Sequence, residues 1–281
     1  MPQHAACLLN YLTHLVKFIP YFFELRARVF WIKDLRSSDI FQGSEITYLN
    51  ITLFVPVLNE LQGLKYFLPK LPSGMFSQIL IVDGDSSDGS AEWARSQGYE
   101  VVVQSKKGLR HAYMEAWPKI RGEYVMTYSP DGNCKISDMQ LIIDKLQEGY
   151  DMVIASRYYQ GAKSEDDSMI TGFGNWLFTQ AINVLHGSKY SDAMTIYRAY
   201  RTSLFNELDL DKDDSYSVER LYFTKIGIEP LLSVRAAKKK IKVCDIPSDE
   251  PKRLTGKRKL QIFRWGAAYM SQVIREVYHW R

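Results

Sequence analysis

Five short apolar runs, each separated from the next by one helix-like stretch, set the tightest limit on how this 281-residue chain can fold. They are ITLFVPV (51–57), QILIVDG (78–84), EVVVQ (100–104), EYVMTYS (123–129) and DMVIASRY (151–158). Strands covered on both faces read as nearly continuous apolar runs rather than as alternations. Between them, LQGLKYFLPKL (61–71), SAEWARSQG (90–98), LRHAYMEAW (109–117) and SDMQLIIDKLQEG (137–149) read as helices. Gly98 and Gly149 are stop signals, and Ser137 stands where an N-cap belongs. This alternation over short links predicts βαβ units and a mostly parallel sheet. Such sheets bind ligands outside the carboxyl ends of their strands. The polar clusters fall there: Asn59-Glu60, Asp83 to Ser90, and Ser129 to Asn133.

A composition of 46% hydrophobic and 24% charged residues excludes disorder, collagen and a disulfide-dense miniprotein. The net charge of +4 is too small to argue for nucleic acid, which is not among the expected partners. Its distribution says more: residues 235–264 carry eleven Lys/Arg against three Asp/Glu, so the rest of the chain is mildly acidic. Such a segment points to phosphate or an anionic membrane surface, or is only a solvated basic face. Cys7, Cys134 and Cys244 are scattered, which fits a reducing compartment and no zinc site. Asn10, His14, Lys17 and Pro20 break the N-terminal apolar stretch short of the ~18–20 residues a span needs, and it has no basic start or clear cleavage site, so neither a span nor a signal peptide is expected. Residues 1–48 and the end of the chain carry apolar and basic residues at helical spacing. An amphipathic helix on a bilayer and a helix packed on protein are equally compatible with that pattern.

VDGDSSDGS (82–90) ends a strand in three aspartates. Asp88 suits the turn itself, and Asp83, at the strand end, is the better ligand candidate. YSPDGN (128–133) places Asp131 and Asn133 where oxygen ligands suit Mg2+ or Mn2+.

Taken in order, VPVLNE (55–60), VDGDSSDGS, KKGLRHAYMEAW (106–117), the Asp131 region and ASRY (155–158) resemble the family 2 inverting glycosyltransferases. The likeness is greatest to the dolichol- or polyprenyl-phosphate sugar transferase branch, over roughly residues 50–250. It implies an α/β fold: a single glycosyltransferase A-type (Rossmann-like) domain with a mostly parallel central sheet, flanked by amphipathic helices. The expected organisation is an N-terminal helical segment (1–48), a nucleotide-sugar-binding domain (49–234), and a basic loop with a C-terminal amphipathic helix (235–281).

The resemblance implies a nucleoside diphosphate sugar as donor and a divalent metal at its diphosphate. Pro56, Asn59, Glu60 and Asp83 match the family's nucleoside pocket, with Gly108 on the donor side. The DxD metal motif falls on Ser129-Pro130-Asp131, so metal binding rests on Asp131, helped by Asn133. Arg110 replaces a usual glycine, and its guanidinium could pair with the diphosphate. Ser156 and Arg157 match the strand-end segment. The run Glu165-Asp166-Asp167 is either acceptor recognition or a solvated loop, and the loop is favoured slightly. Asp192 and Arg198 fill positions of the branch's stretch near the acceptor. Asp192 is the first candidate for a catalytic carboxylate and Glu219 the second.

The tail 246–260 supplies a cationic cradle from Lys252, Arg253, Lys257, Arg258 and Lys259, with Arg253 and Lys257 expected at the donor. The expected activity is transfer to a polyprenyl-phosphate or other lipid-linked acceptor, by an enzyme peripheral to the cytoplasmic membrane face. A soluble or growing glycan as acceptor, and a nucleotide-sugar-binding module without activity, are the alternatives. A homo-oligomer is compatible with the sequence.

Overall fold

A computed structural model describes residues 49–254 and 262–280. The expected N-terminal segment 1–48, and Lys257 to Lys259, lie outside the described residues. Leu49–Arg281 form one compact unit. The chain runs β1 (Ile51–Val57), α1 (Leu61–Phe67), β2 (Gln78–Asp83), α2 (Ser90–Ser96), β3 (Glu100–Val103), α3 (Leu109–Ala116), β4 (Tyr124–Thr127), α4 (Met139–Gln147) and β5 (Met152–Ser156). It continues through α5 (Met169–His186), β6 (Arg198–Arg201), α6 (Leu204–Glu207), α7 (Val218–Tyr222), α8 (Glu229–Lys238), β7 (Val243–Pro247) and α9 (Ile262–His279).

The strands form one seven-stranded sheet in the order β3-β2-β1-β4-β6-β5-β7. All pairings are parallel except the two made by β6, which runs against β4 and β5. The chain leaves β1 toward β2 and β3, then returns to place β4 on its other side, so the order switches between β1 and β4. A crevice opens at such a switch point, beyond the carboxyl ends of the strands.

Period-two alternation divides the core between the two faces of the sheet. Phe54, Leu80, Val82 and Val125 face one cluster with Tyr113 of α3, whose ring stacks on Phe54 at 4.5 Å. Leu53, Val55, Ile81 and Met126 face the other, with Leu64 of α1, Ala94 of α2 and Ile142 of α4. Burying each large apolar side chain contributes roughly 1.5–3 kcal/mol, so an offset of one residue in β1 would forfeit both faces.

Three local expectations need correction. Ser137 does not cap α4: a 3-10 turn over Ile136–Asp138 runs directly into it, and the Ser137 hydroxyl donates to Asp138 Oδ1 at 2.9 Å. The run GFGNWLFTQAINVLHG (172–187) reads as a helix from Gly172, but α5 starts at Met169, because Ser168 and Thr171 form a reciprocal capping box. The boundary at 234/235 falls inside α8, and β7 pairs with β5, so the basic segment begins inside the sheet domain. Its cations serve separate purposes. Arg235 is buried against Glu276 at 2.9 Å, tying α8 to α9.

Candidate active site

The turns after β1 and β2 hold each other by side-chain bonds to backbone. Pro56 pairs in register with Val82, placing the two strand ends side by side. Asn59 takes a left-handed φ of 57°; its N–H donates to Ser86 Oγ and its Oδ1 accepts from Ser87 N–H, both at 2.8 Å. The Glu60 N–H donates to Ser90 Oγ at 3.2 Å. Asp88 accepts from the N–H groups of Leu61 and Ser90, so it builds the turn. Asp83 is 1% exposed; its Oδ1 accepts from Ser86 N–H at 2.8 Å, while Oδ2 is buried with no partner among the described residues. A buried carboxylate oxygen without a donor costs free energy until a ligand supplies one.

A cavity of about 370 Å³ lies at the switch point, lined among others by Glu60, Asp131, Asn133, Arg157, Glu229 and Arg253. Asp131 Oδ1 accepts the Asn133 N–H at 3.1 Å, and Oδ2 pairs with Arg253 at 2.7 Å. The strap after β7 crosses this turn closely: Leu254 N–H donates to Asp131 O at 2.8 Å. A Cβ on Gly132 would stand 3.1 Å from Leu254 N, at a φ of +101°, so both space and conformation require glycine. Asn133 Nδ2 donates to Asp166 and Glu250, leaving its buried Oδ1 without a partner.

In the acidic run after β5, Glu165 is exposed, but Asp166 and Asp167 are not solvated. Asp167 is 7% exposed and accepts from Arg157 and from the Tyr158 hydroxyl; Asp166 faces Asn133 and Arg253. Backbone bonds between Lys163, Glu165 and Glu250 stitch the run to the strap. Sequence spacing cannot show this, because the strap lies more than eighty residues downstream.

Asp192 is wholly buried and receives two bonds from Arg157, at 2.6 and 3.1 Å, one from Asn175 at 3.2 Å, and backbone N–H groups of Met194 and Thr195. Burial would raise its pKa, but the Arg157 charge and these bonds outweigh it and hold the carboxyl below its ordinary range. Arg198, expected beside it, is fully buried and donates to the carbonyls of Ala193 and Thr195 and to Ser233 Oγ. Neither residue lines the cavity. Asp192 orients Arg157, and Arg198 braces the loop before β6; an acceptor-facing position for either is not what the geometry provides.

Gly108, Arg110 and Glu219 line a second, larger cavity of about 1150 Å³, which shares Leu109, Trp265 and Tyr269 with the first. Arg110 is 3% exposed and committed to Glu219 at 2.8 and 3.1 Å and to Asp213 at 2.7 Å. Glu219 also accepts from Lys225 and from the Ile226 N–H. Burial works against its charge, yet Arg110, Lys225 and that N–H keep its pKa low. In the structure Arg110 is thus bonded to carboxylates, and the charge of Glu219 is matched by Arg110 and Lys225.

Sequence reasoning passed over two carboxylates of the smaller cavity. Glu250 is pushed up in pKa by burial and by Asp167 and Asp166, against Arg157. Glu229 is 5% exposed, raised by burial, and accepts the Tyr113 hydroxyl at 3.0 Å. Its only local signal was Pro230, which marks the first turn of a helix.

A seven-stranded, largely parallel sheet with an acidic, arginine-bearing cleft at its switch point is a glycosyltransferase A-type domain. The chain belongs to glycosyl transferase family 2, whose model matches residues 52–209. It is 30% identical to the glycosyltransferase AglJ of Haloferax volcanii over 70% of this chain and 62% of that protein, so it spans less than two thirds of that relative. It is 25% identical to a dolichyl-phosphate hexose transferase of the same organism, over 83% of this chain and 96% of that one. It is 23% identical to the undecaprenyl-phosphate mannosyltransferase of Micrococcus luteus, over 81% and 98%. Among solved structures, glucosyl-3-phosphoglycerate synthase from Mycobacterium tuberculosis, in complex with Mn2+, uridine-diphosphate and phosphoglyceric acid, shares the fold at a TM-score of 0.57. That match has 14% identity and covers 82% of this chain and 79% of that one.

Proposed function

We propose that this glycosyltransferase moves a sugar, with inversion, from a nucleoside diphosphate sugar to a polyprenyl phosphate at the cytoplasmic face of a membrane. The observation that carries the reading is the pairing of unsatisfied acceptors with arginines at one switch point. Among the described residues, Asn133 Oδ1 in the cavity and Asp83 Oδ2 at the end of β2 are buried without donors, and Arg157 and Arg253 line the cavity beside Asp131. Asp83 would take a donor hydrogen from the nucleoside; Arg253 would pass from Asp131 to the diphosphate.

Among the described residues, no group of three or more His, Cys, Asp or Glu is arranged to hold a metal ion. One carboxylate, Asp131, and one amide oxygen, Asn133 Oδ1, nevertheless fit a hard cation that completes its shell with diphosphate oxygens and water. Bound there, Mg2+ or Mn2+ would stabilise charge on the departing diphosphate.

A phosphate acceptor is already anionic and needs no strong base, and both carboxylates expected to act as one are neutralised by arginine. The relatives named for dolichyl- and undecaprenyl-phosphate support that acceptor class. No helix among the described residues is long and apolar enough to cross a membrane. The start of α5 exposes Met169, Ile170, Phe173 and Trp176, a patch that suits an interface. Glu229 favours a second reading, a sugar hydroxyl as acceptor, because a carboxyl raised by burial and lining the cavity suits a general base.

The test is a panel of nucleotide sugars with polyprenyl phosphate and with oligosaccharide acceptors. Asp131→Ala is expected to lower turnover by at least about 100-fold while the fold is retained. Near-normal turnover that still requires metal would sink the role given to Asp131. Activity on oligosaccharide alone, lost in Glu229→Gln, would establish the second reading.

A further inference from the structure

The larger cavity carries a charge and surface to which the proposed transfer gives no role. Lys106, Lys107, Arg220, Lys225 and Arg264 line it, and the first four expose much of their surface. Its two carboxylates, Asp213 and Glu219, are both occupied by the buried Arg110. Among the described residues this lining carries more cations than carboxylates: Lys225 pairs with Glu219, and Lys106, Lys107 and Arg220 stand exposed beside it. Its apolar side is made by Leu109, Ile226, Trp265 and Tyr269.

The rim is also unusual. Phe223 ends α7 at a φ of 47°, a left-handed conformation that bulky residues rarely adopt, and its ring is 83% exposed. Arg264 holds it there by donating to Tyr222 O, at 2.7 Å, and to Phe223 O. Leu221 (69% exposed) and Phe263 (88%) flank it on the two elements that this arginine joins. An aromatic held against its backbone preference and presented outward, beside cations, matches the interfacial zone of an anionic bilayer.

We propose that this cavity is a docking site for the phosphate headgroup of an anionic phospholipid, with Phe223, Leu221 and Phe263 entering the acyl boundary. The site is separate from the cleft at Asp131 and adjoins it through Trp265 and Tyr269, so docking would set the cleft against the bilayer. The inference deepens the reading of a membrane-surface enzyme and rests on it.

The test uses the full chain and flotation with vesicles of phosphatidylcholine, alone or mixed with phosphatidylglycerol. The wild type is expected to float with the mixed vesicles and to be released by salt. Arg220→Glu should weaken that binding at least about fivefold, the effect of losing one cation near an anionic surface. Phe223→Ser and Phe263→Ser should each weaken binding about tenfold or more, as expected for one lost aromatic. All three should keep the wild-type melting temperature and the wild-type rate on a short-chain polyprenyl phosphate dissolved in detergent. Equal flotation with both vesicles, or variants that float like the wild type, would overturn the proposal. So would a shift of the melting temperature by inorganic phosphate, abolished in Arg220→Glu, without vesicle binding: the site would then take free phosphate. Variants that change the oligomeric mass would assign the rim to a second copy instead. Absence of transfer to any polyprenyl phosphate, with vesicle binding intact, would remove the activity reading and leave the docking site standing.

Discussion

Asp192 carries a full charge with no exposed surface, and Arg157 is its chief partner. Taking away one member of such a buried pair strands the other, a loss of about 3–5 kcal/mol. Asp192→Asn should therefore destabilise the fold by that amount in urea titrations at neutral pH. The pH dependence follows from the lowered pKa. The unfolded chain binds the proton more readily, so the contribution is fully present above the ordinary carboxylate value of about 4. It is lost as the pH falls through the lower folded value. The denaturation midpoint of Asp192→Asn should thus fall less on acidification than that of the wild type. If Asp192 positions Arg157 rather than taking a proton, the pH profile of kcat should keep its shape in this variant. A missing acidic limb would return Asp192 to the role of base.

At the scale of elements, strand ends were legible wherever a buried run met a polar cluster. Ile51–Val57 has the bounds its sequence predicts, because both faces of β1 are covered and its apolar run has no break. The entry to β4 depends on something subtler. A Cβ on Gly122 would stand 2.6 Å from Tyr124 O and crowd Thr52, where Thr52 Oγ1 accepts the Gly122 N–H at 2.9 Å. Gly122→Ala should cost about 1–3 kcal/mol, as overpacking does, measured by urea denaturation. A variant as stable as the wild type would show that β1 and β4 can separate there without loss. β7 was not legible, because VCDIP is short, broken by Asp245 and closed by Pro247, and becomes a strand only through its register with β5.

Across the whole molecule, α9 closes the domain over both cavities through Trp265 and Tyr269. Glu276, with no exposed surface, anchors it by accepting from Arg235 of α8, while Gln272 and Arg275 of α9 itself complete its bonds. Glu276→Ala should loosen α9, raising its backbone hydrogen exchange by about 100-fold or more if 3 kcal/mol is lost. Donor affinity should fall with it, since residues of α9 wall the cleft. Unchanged exchange would show that apolar packing alone holds the helix.

The sequence by itself determined the alternation of strand and helix, the carboxyl-end location of the site, and the Asp83 and Asp131 turns. These follow from local periodicity and from polar residues placed directly after buried strands. Tertiary structure alone decided which charges remain available. Asp192, Glu219 and Arg110 looked like chemistry because charged residues in such motifs are costly to bury without partners. The arginine–carboxylate pairs Arg157–Asp192 and Arg110–Glu219 span 35 and 109 residues, so only the folded chain shows this neutralisation. The same long-range folding brought Asp166, Asp167 and Glu250 into the cleft and left the cations of the larger cavity facing outward.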